Sequence, residues 1–413
     1  MNVLIISPRF PPSIGGIEYI VSRLACYLAD HGFNVTVATT DAVSQRPFTR
    51  FKCIGEQKCG RLKVLRFPCF GFVTGYIPIS PNIFLWCIRN ISSYDVIHVN
   101  GYGFITSDLI ALLASLYHKP VVLTTHGVSQ EVLIKYIYRP SIMNIIRMLF
   151  YIAYKKILLS LSLRVYSRIV IVSRFEVNML PKSIVDKIIH ICNGVDFNEW
   201  SIGELDINEV YVKKSYGVDF GECMLLYMGR LDVGKGVDFL LKSISGIKNL
   251  NFKLVIASPK SIHEHKIVEL INELNVKDYV LLVGPRIGLE KIKLLKAADI
   301  IVVPSIYELF YPPEISVIEG VVAGKPVVTV KPVKYMSDHP VRDQFNGFLV
   351  NYNNVDELTE ALKILIKDEN LRRKFSRNSL ELGKSYSLSV MLNKYIKVYC
   401  EALRSHCTSS THI

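Results

Sequence analysis

Four places along the 413-residue chain carry side chains that could do chemistry, and each follows or borders an apolar run. Gly15 and Gly16 stand between residues 2–7 and a helical repeat of Ile17, Ile20, Val21, Leu24 and Leu28. The unpaired N–H groups of a helix N-terminus favour an anion, and two glycines let a phosphate or sugar approach the main chain. Arg230 and Lys235 share a loop with Gly229 and Gly236, after the run 223–228. Two cations on one loop can converge on a diphosphate and neutralise the charge that grows as it leaves. The plain alternative is a pair of solvated surface charges. Glu308, Glu314 and Glu319 lie between Pro304 and Pro326, with Glu319 inside the apolar stretch 315–322. A carboxylate there needs partners, either ribose hydroxyls or a nearby Lys or Arg. His126 ends the run VVLTT, where its imidazole could meet a sugar or acceptor hydroxyl or serve a purely structural role. His98 and Asn100, at the end of the preceding strand, face either the same rim or the core. Arg286, close to Gly284, borders the region whose shape would choose between nucleotide bases.

These residues need elements to hold them. Residues 2–7 read as a buried parallel strand, the next helix closes at Gly32, and residues 34–39 form the following strand. Further strands are expected at 64–66, 96–99, 121–125, 169–172 and 188–192. After a polar connection at 201–221 the pattern restarts, with strands at 223–228, 253–257, 280–283, 300–303 and 327–330. Strands alternating with helices at this rhythm predict open, mostly parallel α/β sheets, with ligands at their carboxyl ends. The expected division is a first Rossmann-like domain at 1–200, a second at 201–385 and a C-terminal helix and tail at 386–413 that packs back on the first domain.

Composition narrows the class. Half the residues are hydrophobic and 21% are charged, which excludes widespread disorder. A formal charge of +13 suits an anionic ligand or membrane surface; without zinc-finger spacing or an Arg-rich tract, no nucleic-acid partner is expected. Nine cysteines scattered singly fit buried thiols in a reducing compartment, and Cys53 and Cys59 lack a zinc-ligand spacing. Gly-x-Gly-x-x-Gly is absent, which argues against NAD. MNVLIIS has no basic n-region, and prolines break the uncharged stretch 67–88, so a cytoplasmic protein is expected. Residues 143–168 mix aromatic and aliphatic side chains with Arg147, Lys155, Lys156, Arg164 and Arg168. Such a basic amphipathic segment could lie on anionic headgroups at the inner face of the cell membrane, or simply be a domain helix with a solvated face.

Eight segments in order resemble the retaining GT-B glycosyltransferases of family four. They are PPSIGGIEYIVSRLACYLADHGFNVTVATT, DVIHVNG, VVLTTHG, RIVIVSRFE, ICNGVDFNEW, YMGRLDVGKGVDFLL, LLKAADIIVVPSIYE and VIEGVVAGKPVV, and they span residues 2 to about 386. The resemblance implies two Rossmann-like domains with parallel sheets facing across a cleft, the acceptor bound by the first (1–200) and the nucleotide sugar by the second (201–385). It implies Gly15 and Gly16 beside the donor phosphates, Arg230 and Lys235 on the diphosphate, Glu319 on the ribose and His126 at the reacting sugar. It also implies a UDP-, GDP- or ADP-sugar donor with no metal and no further cofactor, a glycan or lipid-linked acceptor, and retention of anomeric configuration. This chain departs from the pattern in three places. The family spaces two glutamates by seven residues, which from Glu319 points to Tyr311; Glu308 fits by its Pro-Ser-x-Tyr-Glu context and Glu314 stands where a glycine is usual. Asn100 replaces a second histidine, and Ala257-Ser258-Pro259 replaces a Gly-rich loop. Two rival readings are a nucleotide-sugar epimerase of the same architecture and a non-catalytic nucleotide-sugar-binding protein.

Overall fold

The computed structural model describes residues 1–45, 48–52, 54–73, 77–128, 149–196, 208–261, 263–309, 313–332 and 339–410. The chain divides into two compact units, Met1–Cys192 with Met391–Ile413, and Asn193–Val390.

The first unit is built on β1 (Asn2–Ile6), β2 (Asn34–Thr40), β3 (Ala42–Gln45), β4 (Phe48–Arg50), β5 (Gly55–Cys59) and β6 (Leu62–Phe67). It continues through β7 (Gly71–Val73), β8 (Ile77–Ile79), β9 (Val96–Asn100), β10 (Val121–Thr124), β11 (Arg168–Ile171) and β12 (Ile188–His190). Eight of these form one sheet in the order β12-β11-β10-β9-β1-β2-β6-β5. Every pairing in it is parallel except β5 with β6. β1 shows why: Val3, Leu4 and Ile5 are 0% exposed, so the strand is covered on both faces and reads as an unbroken apolar run. β5, GEQKC, is an exposed edge, and it follows no apolar period. Helix α1 (Gly16–Asp30) buries Ile20, Val21, Leu24 and Leu28 as its helical spacing marks, together with Ala25, while Ile17 of the same repeat stays half-buried. Helices α2 (Pro81–Asn90) and α3 (Ile105–Leu116) follow. The proline-broken stretch 67–88 holds the small hairpin β7–β8 before α2. Residues 149–165 are helical, with a π-turn over Lys155–Leu159 and α4 (Ser160–Val165) at the end.

The second unit contains β13 (Cys223–Met228), β14 (Phe252–Ala257), β15 (Val280–Leu282), β16 (Ile300–Val303), β17 (Val327–Val330) and β18 (Gly347–Val350). They form one all-parallel sheet in the order β15-β14-β13-β16-β17-β18. This is the doubly wound order, and it reverses direction between β13 and β16. In the first unit the order reverses between β1 and β9. At such a switch point neighbouring loops leave the sheet in opposite directions, so ligands settle there, beyond the carboxyl ends of the strands. Helices of this unit are α5 (Glu209–Ser215), α6 (Val237–Ser245), α7 (Glu264–Glu273), α8 (Gly288–Ala297), α9 (Ile315–Val322), α10 (Val355–Lys367) and α11 (Glu369–Gly383). The final helix, α12 (Leu388–Ser410), joins the first unit from Met391 onward. There its Tyr395 and Tyr399 are 1% and 0% exposed.

Candidate functional site

In the second unit the loop after β13 and the loop after β16 rise on either side of the switch point. The first is pinned at Arg230, whose carbonyl accepts a 2.7 Å hydrogen bond from the buried Tyr227 hydroxyl. Further along, Gly234 O accepts from Ile306 N at 2.9 Å and from Ser305 Oγ at 3.3 Å, which joins the two loops. Gly236 has a φ of +73°, and a Cβ there would stand 1.9 Å from Pro304 O. Only glycine permits this approach. The cradle holds Lys235, whose ammonium lies 2.8 Å from Glu314 Oε1 and 4.9 Å from the centre of the Tyr307 ring. Glu314 is the N-cap residue of α9; its side chain makes no capping hydrogen bond, and the field of the helix N-terminus favours a negative charge at that position. Arg230 points to solvent more than Lys235 does, with 54% side-chain exposure, and pairs with Asp232 at 3.0 Å. Of the second unit's predicted residues, the structure therefore brings Lys235 and Glu314 into contact, with Arg230 on the same loop.

The other residues of this unit have their own partners. Glu319, on α9, is paired with Lys291 of α8, so the lysine that the sequence left open as an alternative partner is the one observed. Arg286 donates from Nε to the Tyr216 hydroxyl at 2.9 Å and lies over the Tyr216 ring at 5.5 Å. Glu308 belongs to a 3₁₀ turn, Ile306–Leu309, but its side chain lies outside the described residues, and so does Tyr311.

In the first unit the predicted residues gather around the β1–β9 switch point. Gly15 and Gly16 open α1, and Glu18 of its first turn reaches back so closely that a Cβ on Gly15 would stand 2.2 Å from Oε2. Glu18 is buried, and Arg9 neutralises it at 3.0 Å. This carboxylate–guanidinium pair was missed in the sequence, although an acidic residue in a first helical turn is a readable signal. Asn100, expected to bind substrate, is 1% exposed and turned inward: its Nδ2 donates to Ile6 O at 3.2 Å. Its Oδ1 lies 2.9 Å from His126 Nε2. His98 faces the core, 0% exposed, with Nε2 2.8 Å from Thr124 Oγ1 and Nδ1 2.7 Å from the Tyr399 hydroxyl.

His126 itself is half-buried, and its φ of +53° lies in the left-handed region that side chains rarely adopt. Nearby, the buried Glu176 accepts hydrogen bonds from Val172 N and Ser173 N, each at 2.9 Å, and Thr125, just before His126, is tied to β11 by its N–H on Val170 O at 3.0 Å. Ser173 and Glu176 make a capping box that the S-x-x-E spacing announces and that sequence reading overlooked. Burial lowers the His126 pKa to about 4 and that of His98 to about 3, so both rings are neutral near pH 7. Among the described residues there is no group of three or more His, Cys, Asp or Glu placed to hold a metal ion.

Two doubly wound α/β units, each with polar residues collected at its switch point, have the architecture of the GT-B class. Family models agree: Glycosyltransferase Family 4 matches residues 14–199, and Glycosyl transferases group 1 matches residues 212–381. A glycosyltransferase of Methanocaldococcus jannaschii is 28% identical over 97% of this chain and 98% of its own length. The GDP-mannose:cellobiosyl-diphosphopolyprenol alpha-mannosyltransferase of Xanthomonas oryzae pv. oryzae is 23% identical, covering 98% of this chain and 97% of that one. Among solved structures, a glycosyltransferase from Rickettsia africae superposes with a TM-score of 0.72 at 20% identity, over 97% of this chain and 98% of its own. HepE of Anabaena, in complex with UDP and glucose, gives 0.71 at 17% identity over 96% and 98%. The chain belongs to the GT-B glycosyltransferases of family four, and it is an enzyme that transfers a sugar.

Proposed function

We propose that this enzyme moves a hexosyl group from a nucleoside-diphosphate sugar to a glycan or lipid-linked acceptor, with retention of anomeric configuration. The observation that carries the reading is the loop cradle at the second switch point, which holds the Lys235 ammonium against Glu314 with Arg230 beside it. A diphosphate seated there would draw the lysine from the carboxylate onto its own oxygens, a trade of one anion for a stronger one. During transfer the bond from the anomeric carbon to the phosphate oxygen breaks, and its electron pair stays on the phosphate. The acceptor oxygen attacks from the same face and gives its proton to that phosphate oxygen, while the cations hold the growing charge. Glu319 would exchange Lys291 for ribose hydroxyls, and His126 would meet a hydroxyl at the reacting sugar. The relatives support a nucleotide-linked donor, since one is named for GDP-mannose and a polyprenol-linked acceptor, and a fold neighbour holds UDP.

A second feature bears on where the acceptor is met. The segment read at 143–168 is described from residue 149, and there Leu149, Phe150, Ile157 and Leu161 are 47–64% exposed beside Lys155 and Lys156. Tyr154, Leu159 and Leu163 of the same segment are buried, so it presents one apolar-basic face outward. This face suits an anionic bilayer surface that carries a lipid-linked acceptor. Among the described residues no helix is long and apolar enough to cross a membrane. The decisive experiment incubates the protein with UDP-, GDP- and ADP-sugars, with and without polyprenyl-diphosphate glycans, and reads the product linkage by NMR. Transfer with the donor's anomeric configuration supports the proposal. An inverted linkage, or sugar conversion that needs no acceptor, refutes it.

A further inference from the structure

We infer that Asn100 is a positioning residue that fixes the proton of His126 on Nε2, so that only the Nδ1 lone pair is offered to substrate. The inference deepens the reading of His126 as a contact of the reacting sugar and rests on it.

Three groups lie in contact, Ile6 O, the Asn100 amide and the His126 ring, and each leaves the next one choice. Ile6 O, at the end of β1, is a main-chain carbonyl and can only accept. The Asn100 atom 3.2 Å from it must therefore be the amide nitrogen, which orients the whole side chain. That leaves Oδ1 facing His126 Nε2 at 2.9 Å, and a carbonyl oxygen can only accept. Nε2 must then carry the hydrogen. A neutral imidazole has one N–H, so Nδ1 is a bare acceptor. The ring stays neutral because burial disfavours its charged form.

The setting keeps this order from relaxing. Asn100 is 1% exposed, so no bulk water competes for Oδ1. The loop beyond it is tied to the end of β10, with Gly101 N on Thr124 O at 2.9 Å and Tyr102 N on Thr125 O at 3.1 Å. Among the described residues, no hydrogen bond to His126 Nδ1 is present. A substrate group on that nitrogen must be a hydroxyl or N–H donor; an ether, a carbonyl or a phosphate oxygen would meet lone pair with lone pair.

The test is NMR of the full chain labelled with ¹⁵N at histidine, with His126 assigned by its loss in His126→Gln. The expected spectrum shows protonated Nε2, bare Nδ1 and a slowly exchanging Nε2–H proton. In Asn100→Leu that proton should become exchange-broadened and the two nitrogens should move toward tautomer averaging, with kcat/KM down roughly ten- to hundredfold. Asn100→Asp keeps an acceptor at the same place and should retain the Nε2–H signal. A wild-type ring protonated on Nδ1, or an unchanged pattern in Asn100→Leu, overturns the inference. Should Asn100→Leu fail to fold, the wild-type and Asn100→Asp spectra decide. Sugar transfer is assayed on the same samples: a protein that transfers no sugar yet shows the Nε2–H order supports the inference and counts against the functional reading alone.

Discussion

Replacing Gly236 by alanine should damage the second switch point far more than the residue's size suggests. Two costs combine. A left-handed backbone costs a non-glycine residue about 1–2 kcal/mol. The added Cβ would stand 1.9 Å from Pro304 O and 2.7 Å from Pro304 C, both main-chain atoms with no rotamer to escape into. The loops must separate, and the Ile306 N to Gly234 O bond of 2.9 Å joins the same two segments. Leaving a sheltered polar group unpaired adds about 1–3 kcal/mol. The sum, about 2–5 kcal/mol, corresponds to a fall of roughly 4–20 °C in melting temperature for a unit of this size. Gly221→Ala is the control, because Gly221 has a φ of +87° and open space around its missing Cβ. It should lose only the backbone cost of about 1–2 kcal/mol and keep its kinetics. Gly236→Ala, by contrast, should also raise the donor KM, since Lys235 is its neighbour. Differential scanning fluorimetry with steady-state kinetics reads both variants. If the two melt together and bind donor equally well, the close approach of loop to loop is not what Gly236 is for.

Other perturbations separate the remaining parts. Lys235→Met should cut kcat/KM by about 10²–10³, in line with the loss of one charge-stabilising donor. It should also destabilise by about 1–3 kcal/mol by stranding Glu314; Lys235→Met with Glu314→Gln should recover the stability but not the activity, and recovery of both would exclude a role for the ammonium in transfer. His98 has a folded pKa of about 3 against an ordinary 6.5, so the unfolded chain binds the extra proton between those values. Its contribution to stability is complete above pH 6.5 and is lost as pH falls, at up to about 1.4 kcal/mol per pH unit. Asp108, raised to about 6 by burial, works in the opposite direction over its own range. Urea melts from pH 6.5 downward should therefore show a shallower loss in His98→Gln, and an unchanged slope would contradict the buried-neutral assignment. Reversing Lys155 and Lys156 to glutamate should weaken sedimentation with phosphatidylserine vesicles at least tenfold at low salt, at about 1 kcal/mol per basic residue; binding that ignores both charge and salt would remove the membrane proposal.

What the residues revealed in one dimension, and what they hid, follows from how far each interaction reaches. Strands 223–228, 300–303 and 327–330 were found to the residue because a strand buried on both faces is a local apolar run. β18 was missed because GFLV, four residues opening on glycine, differs little from a loop, and exposed β5 carries no apolar period at all. The family's GT-B fold was legible from eight ordered segments, since many modest motifs in sequence constrain one topology. Residue types at the site were legible too, but their partners were not. Lys235 and Glu314 lie on separate loops, and Glu319 finds Lys291 on another helix, so only the packed sheet decides these pairings. Asn100 illustrates the limit best. Its type suggested a polar contact for substrate, yet β1, β9 and β10 are neighbours in the sheet, and that adjacency hands both ends of its amide to the protein. A side chain that looked like a ligand contact is thereby placed to govern what its neighbour His126 can offer, and only the strand order reveals it.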